Sequence, residues 1–238
     1  FYYRRHGSNL TEDTARILDT RREIKAKFVE TYHKDSKPTV LGVILASGRS
    51  VCPEMHPMAE LNGKPLIWHT LSQAVETQSL DRMVLSTEDD RTIQYAKQFD
   101  SIEAIKRPDE LTGATVRTCD IVKNIIDELQ RTQGYRPDAV AVLYANTPLR
   151  KAYHIDKAVN TMMIFDVDSV ISIQEELAPC YQHRQFGLTA INDVADSLRI
   201  ERKAIYKENG AVYLTKTEVI ESGNLLGKTV GHITMLPE

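Results

Sequence analysis

The sequence predicts an α/β fold, a mostly parallel sheet with helices on both faces, preceded by an N-terminal helix. Two observations predict it. From Val40 onward, short β-branched runs alternate with longer amphipathic ones, and a parallel strand can be followed by another only through a crossover that returns over the sheet. The 238 residues, 42% hydrophobic and 26% charged, suffice for one substantial core with at most a small appendage. No apolar run approaches the roughly 20 residues of a membrane helix, and neither an internal repeat nor a low-complexity tract interrupts the pattern.

Residues 1–37 differ from the rest. Aromatic and basic residues at 1–6 lead into a charged stretch at 11–34. Thr11, Asp13 and Thr14 offer capping groups, and Ile17, Leu18, Ile24 and Phe28 recur at near-helical spacing, which predicts one amphipathic helix. A polar linker follows, through which Pro38 allows no helix. In the main domain, 38–238, strands are expected at 40–45, 82–86, 139–144, 169–173, 211–215 and 229–235. Helices are expected at 66–79, 90–98, 115–130, 155–165 and 216–221. In such a sheet ligands gather beyond the carboxyl ends of the strands.

The net charge of −3 gives no basic field of the kind that binds nucleic acid or an anionic membrane surface. Phosphates, if bound, must be held by local groups. Cys52, Cys119 and Cys180 share no metal-type spacing, and their odd number argues against a disulfide framework, so a reducing cytoplasm is expected.

The first strand runs into Ala46, Ser47, Gly48, Arg49 and Ser50. Glycine permits close approach of backbone to an anion, the two serines donate hydrogen bonds and the arginine adds charge. Such a loop can cradle a triphosphate or be a plain turn. Further on, Asn62 and Gly63 favour a tight turn with positive φ, and Pro65 suits a helix start.

Seven segments in order carry a resemblance: 46–50, 63–67, 85–88, 106–111, 147–150, 168–170 and 206–213. Together they resemble the acylneuraminate cytidylyltransferases, which couple CTP to nonulosonic acids. The resemblance implies a Rossmann-like sheet of the nucleotide-diphospho-sugar transferase type and transfer of CMP to a sialic-acid-like sugar with release of pyrophosphate. It also implies Mg2+ and a homodimer. Carried over residue by residue, it assigns nucleotide binding to Ala46, Ser47, Gly48, Arg107, Thr118 and Tyr144. Catalysis falls to Arg49 and Ser50, and sugar binding to Arg150, Arg199, Lys207 and Asn209.

The chain also departs from the family pattern. The loop's first arginine becomes Ser47, its lysine Val51, and a later lysine–asparagine pair His56 and Pro57. Each charge-assisted contact is worth roughly 1.5–3 kcal/mol, so losing two without replacement weakens triphosphate binding about a hundredfold. The family's base-recognising glutamine falls on Tyr144, and acidic positions fall on Ala114 and Glu88. The aspartate pair that holds magnesium in the family would lie beyond Glu238. The alternative is a binding or scaffolding domain that keeps the fold without catalysis; a third reading is a transferase for another base or sugar. Finally, Arg4, Arg5, His6 and Asn9 resemble the closing segment of a family 2 glycosyltransferase, which implies a fusion with such a domain upstream, Arg4 and His6 being idle here.

Overall fold

The computed structural model describes residues 14–32, 37–49, 52–113, 115–176, 178–191 and 205–236. The glycosyltransferase-like residues at 1–13, as well as Ser50, Val51, Ala114 and Arg199, lie outside them.

A seven-stranded sheet organises the domain. Its strands are β1 (Val40–Leu45), β4 (Arg82–Thr87), β5 (Ile102–Lys106), β6 (Ala139–Tyr144), β7 (Ser169–Glu176), β10 (Ile205–Lys216) and β11 (Val230–Thr234). Across the sheet they run β11-β7-β10-β6-β1-β4-β5. All neighbouring pairs are parallel except those of β10, which runs against both β6 and β7. Two short ladders complete the strands: β2 (Glu60–Leu61) with β3 (Lys64–Pro65), and β8 (Tyr181–Arg184) with β9 (Gly187–Ala190).

Every residue of β1 is buried, as a central parallel strand covered on both faces requires. Ile44 packs with Ile67 and Leu71 of α2 (Leu66–Glu76) and Ile155 of α5 (Ala152–Phe165). Val43 and Leu45 face the other way, onto Ile121, Ile125 and Leu129 of α4 (Thr118–Gln133) and Ile220 of α6 (Thr217–Glu221). The short α3 (Asp90–Ala96) follows β4, its N-terminus capped by the Asp89 carboxylate, which accepts from the backbone N–H groups of Arg91 and Thr92. This is the doubly covered α/β sheet expected from the sequence.

Local chemistry sets the boundaries. Asn62 and Gly63 take φ of 51° and 73° and join β2 to β3 in the expected tight turn. α4 ends at Gly134, whose φ of 65° lets its N–H return to the carbonyl of Gln130 and that of Tyr135 to the carbonyl of Leu129. The expected strand at 211–215 is the last part of the 12-residue β10, interrupted by an irregularity between Glu208 and Tyr213. β5 went unforeseen because it is an edge strand carrying Glu103 and Lys106, so it lacks an apolar run.

The N-terminal helix, α1 (Thr14–Tyr32), packs on α5, through only part of the expected face: Ile17 and Leu18 are half-buried. Ile24 and Phe28 are 63% and 42% exposed. Contact runs instead through long basic side chains: Arg22 lies over the ring of Tyr153 at 4.7 Å, and Lys25 Nζ donates to Thr161 Oγ1 at 3.1 Å. Aliphatic stems of such residues cover apolar surface while their heads stay polar. Among the described residues no helix is long and apolar enough to cross a membrane.

Candidate active site

Chain order reverses across β1: β4 and β5 lie on one side of it and β6 on the other. At such a switch point the loops leaving adjacent strands diverge and open a crevice. A cavity of about 240 Å3 lies there, lined by Ala46, Ser47, Arg107, Thr118, Tyr144 and Asn146 among others. Five of the six residues expected to bind nucleotide therefore converge on one cavity, and the sixth, Gly48, is in the adjoining turn. Asn146 was not anticipated, although its place between Tyr144 and Thr147 at the end of β6 was a signal for it.

The turn after β1 folds over the end of β4. Glu88 Oε1 accepts three hydrogen bonds from it, from Ser47 Oγ at 3.0 Å, Gly48 N at 2.8 Å and Arg49 N at 3.2 Å. A Cβ on Gly48 would stand 2.7 Å from Cβ of Asp89, so only glycine permits this approach. The donors of this loop thus converge on a carboxylate of the same chain. That role of Glu88 was missed. The signal was the parallel pairing of the first two strands, which sets their carboxyl ends side by side.

Arg107 binds these ends together. It donates through Nε to Ser86 Oγ at 3.2 Å, and through Nη2 to Ser86 O at 2.7 Å and Ala46 O at 3.2 Å. Its Nη1 lies 3.6 Å from Glu88 Oε2. Burial lowers the guanidinium pKa and the Glu88 carboxylate opposes the shift. Arg107 is therefore a strut with one edge toward the cavity. Arg49 is 59% exposed and pairs with Asp109 at 3.5 Å, so its charge stands at the rim.

On the opposite wall Thr118 opens α4, where unpaired backbone N–H groups favour negative or electron-rich ligand atoms. Its Oγ1 is 2.8 Å from the Tyr144 hydroxyl, and Tyr144 meets Tyr213 edge to face at 5.8 Å. Where the family has an amide, this site has an aromatic wall with one hydroxyl. His56, aligned with a family cation, turns Nδ1 to accept the N–H of Met58 at 3.1 Å, which employs the ring as an acceptor.

Arg150 requires a correction. Expected to bind sugar, it is 1% exposed. Nη1 donates to Ala211 O at 2.7 Å and Thr147 Oγ1 at 2.6 Å, and Nη2 to Thr70 Oγ1 at 2.8 Å. Both reach Tyr144 O. Burial pushes its pKa down to about 9, which leaves it charged at neutral pH. It ties β6, β10 and α2 together beneath the site and presents nothing to a ligand.

Lys207 and Asn209 lie on the part of β10 that projects past the end of β6, since Tyr213 pairs with Val142 two residues before that end. Lys207 is exposed. Asn209 Oδ1 accepts from Ser172 Oγ at 2.6 Å and Ala211 N at 3.2 Å, so the amide oxygen holds the irregularity of β10. Neither residue lines the cavity; they stand at its β10 side.

The family's magnesium calls for clustered carboxylates. No carboxylate lines the cavity, and among the described residues no group of three or more His, Cys, Asp and Glu gathers. The described residues around the cavity therefore supply no magnesium ligands.

Comparison with known proteins agrees with this architecture. A family profile described as cytidylyltransferase matches residues 54–235. The N-acylneuraminate cytidylyltransferase of Streptococcus agalactiae serotype V is 25% identical over 179 residues, 72% of this chain and 42% of that protein. CMP-N,N'-diacetyllegionaminic acid synthase of Legionella pneumophila is 28% identical over 169 residues, 68% of this chain and 72% of that protein. The chain thus spans less than half the length of the streptococcal relative. Among solved structures, a CMP:2-keto-3-deoxy-manno-octonic acid synthetase complexed with CTP shares the fold with a TM-score of 0.61 at 14% identity, covering 83% of this chain and 90% of the other. With the profile match spanning most of the chain and the cavity lying at the switch point of the sheet, the chain belongs to the cytidylyltransferase family, with acylneuraminate enzymes among its relatives.

Proposed function

We propose that this domain transfers CMP from CTP to the anomeric hydroxyl of a nonulosonic acid. The hydroxyl oxygen attacks the α-phosphorus, the bond to the β-phosphate breaks, pyrophosphate leaves and the hydroxyl proton passes to solvent. The observation that carries the reading is the convergence of Ala46, Ser47, Arg107, Thr118 and Tyr144 on one cavity in a chain of this family.

In this reading Ser47, Gly48 and Arg49 receive the phosphates, and Ser50 is assigned the same role from the sequence. Thr118 and Tyr144 bound the nucleoside, while Lys207, Asn209 and Arg199 address the sugar. A lysine suits the sugar's carboxylate and an amide its hydroxyl or acyl groups. Orientation of the two reactants supplies most of the acceleration such a site offers. Magnesium dependence, a cytoplasmic location and fusion to an upstream glycosyltransferase belong to the same proposal. So does a homodimer, for which the exposed side chains of Tyr181, Phe186, Leu188 and Ile191 on and beside the hairpin of β8 and β9, 53–96% exposed, offer an apolar surface.

The test is pyrophosphate release in the full-length natural protein, with CTP, Mg2+ and a panel of sialic, legionaminic, pseudaminic and 3-deoxy-manno-octulosonic acids. Release with one acid and not with the others supports the proposal and names the substrate. Absence of release with all of them overturns it.

A further inference from the structure

A second cavity, of about 100 Å3, lies where α1, α5 and the end of β11 meet. It shares no lining residue with the nucleotide cavity. We infer that it binds a small oxyanion, of the size and charge of phosphate or a simple carboxylate.

The argument begins with Lys157. It is 6% exposed and lines this cavity, and its Nζ donates to the carbonyl of Thr234 at 3.3 Å. Among the described residues no carboxylate lies within ion-pair distance of it. A buried ammonium with a carbonyl for company is costly, and proteins neutralise such a charge or pair it. Its surroundings add positive charge. Arg22 lines the cavity from α1, and Arg21 and Lys25 lie close enough to repel the ammonium, opposed by Asp19 alone. Burial and this repulsion push the Lys157 pKa down to about 8.

One of the remaining polar groups is an acceptor, the Asp19 carboxylate, which lines the cavity and is held by Arg22 at 3.4 Å; the other is a donor. His154 Nδ1 accepts the N–H of Lys151 at 3.0 Å, which leaves the ring's proton on Nε2, and His154 is the third residue of the 14-residue α5, inside the positive end of that helix. Arg22 is fixed by the Tyr153 ring and by Asp19 at 3.4 Å. Lys157, the Arg22–Asp19 pair and the His154 imidazole therefore line a volume equal to about three liquid waters at roughly 30 Å3 each. Leu18, Tyr153 and Leu236 close its sides, which limits the occupant to a few heavy atoms.

The test is thermal unfolding of the full chain, exchanged into chloride buffer and titrated at constant ionic strength with inorganic phosphate and, separately, with acetate. Saturable stabilisation by either is expected, and which anion acts identifies the chemistry. Lys157→Met removes the buried charge at nearly constant volume. It is expected to keep or raise the midpoint in chloride and to lose the response. Arg22→Gln, on the surface of α1, is expected to weaken the apparent affinity about tenfold, the loss of one charge-assisted contact. Absence of saturation with both anions overturns the inference, as does a response that persists unchanged in Lys157→Met, which would assign it to another site. If Lys157→Met fails to fold, an unaltered response in Arg22→Gln overturns it equally.

Discussion

Glu88 Oε1 accepts the backbone N–H of Gly48 at 2.8 Å, so a carboxylate of the protein sits where the turn's N–H groups converge. Its other oxygen faces Arg107. An incoming phosphate finds its donors taken and a negative charge in its place. Replacing Glu88 by Gln keeps an acceptor for the loop and removes that charge. Glu88→Gln is expected to bind CTP several-fold more tightly by calorimetry and to lose about 1–3 kcal/mol of stability, because Arg107 loses its buried counter-charge. Weaker CTP binding in a folded variant would mean that the carboxylate organises the loop for the ligand.

Gly48→Ala tests the packing of the same turn. The added methyl meets Asp89, whose carboxylate caps α3, so the turn must move outward. The expected result is a loss of about 1–3 kcal/mol in denaturant unfolding, with weaker nucleotide binding. Unchanged stability would show that the turn already has room.

Arg150→Met separates a strut from a ligand. The carbonyls of Ala211 and Tyr144 and the hydroxyl of Thr70 lose a charged donor in the core, which predicts a loss of about 3 kcal/mol or more. The KM for the sugar acid should stay within about threefold at a temperature where the variant is folded, since less than about 0.7 kcal/mol of binding is at stake for a residue that touches no ligand. A large KM increase without loss of stability would restore Arg150 to the sugar site.

Tyr144→Phe removes the 2.8 Å contact with Thr118 and leaves the aromatic wall intact. Stability should fall by about 1 kcal/mol. Discrimination among CTP, UTP, ATP and GTP should change if the hydroxyl, or Thr118 which it orients, reads the base. Equal discrimination in both proteins would assign base reading elsewhere.

His154 predicts a pH dependence. Burial, and then the charges of Lys157, Arg150, Lys151 and Arg22, push its pKa down to about 4. Because the folded value lies below the unfolded one near 6.5, the unfolded chain takes up the proton first as pH falls. The contribution is fully present above pH 6.5 and is lost between there and pH 4, amounting to about 2 kcal/mol after allowance for residual solvent. His154→Gln, whose amide can still cap Lys151 N–H, should flatten unfolding free energy against pH over that range.

The sheet was legible because its strands are continuous β-branched runs and its helices long and amphipathic. β5 was hidden by its charges, and the antiparallel course of β10 was hidden because strand direction depends on where the connecting segment travels, which composition does not record. At the site, residues that line the cavity were legible as a set of strand-end and helix-start positions. Arg150 was misread because a sequence does not distinguish an arginine that ends a strand facing outward from one folded beneath it. Glu88 was overlooked for a related reason: its role arises from β4 lying beside β1, a relation between distant segments.

The reversed course of β10 separates two kinds of change. Ala46, Ser47, Arg107 and Tyr144 stand at the exits of strands running one way, whereas Lys207 and Asn209 are met on the way in along a strand running the other way. Lengthening or shortening the chain before Ile205 therefore reshapes the β10 side of the crevice while the exits of β1, β5 and β6 stay where they are.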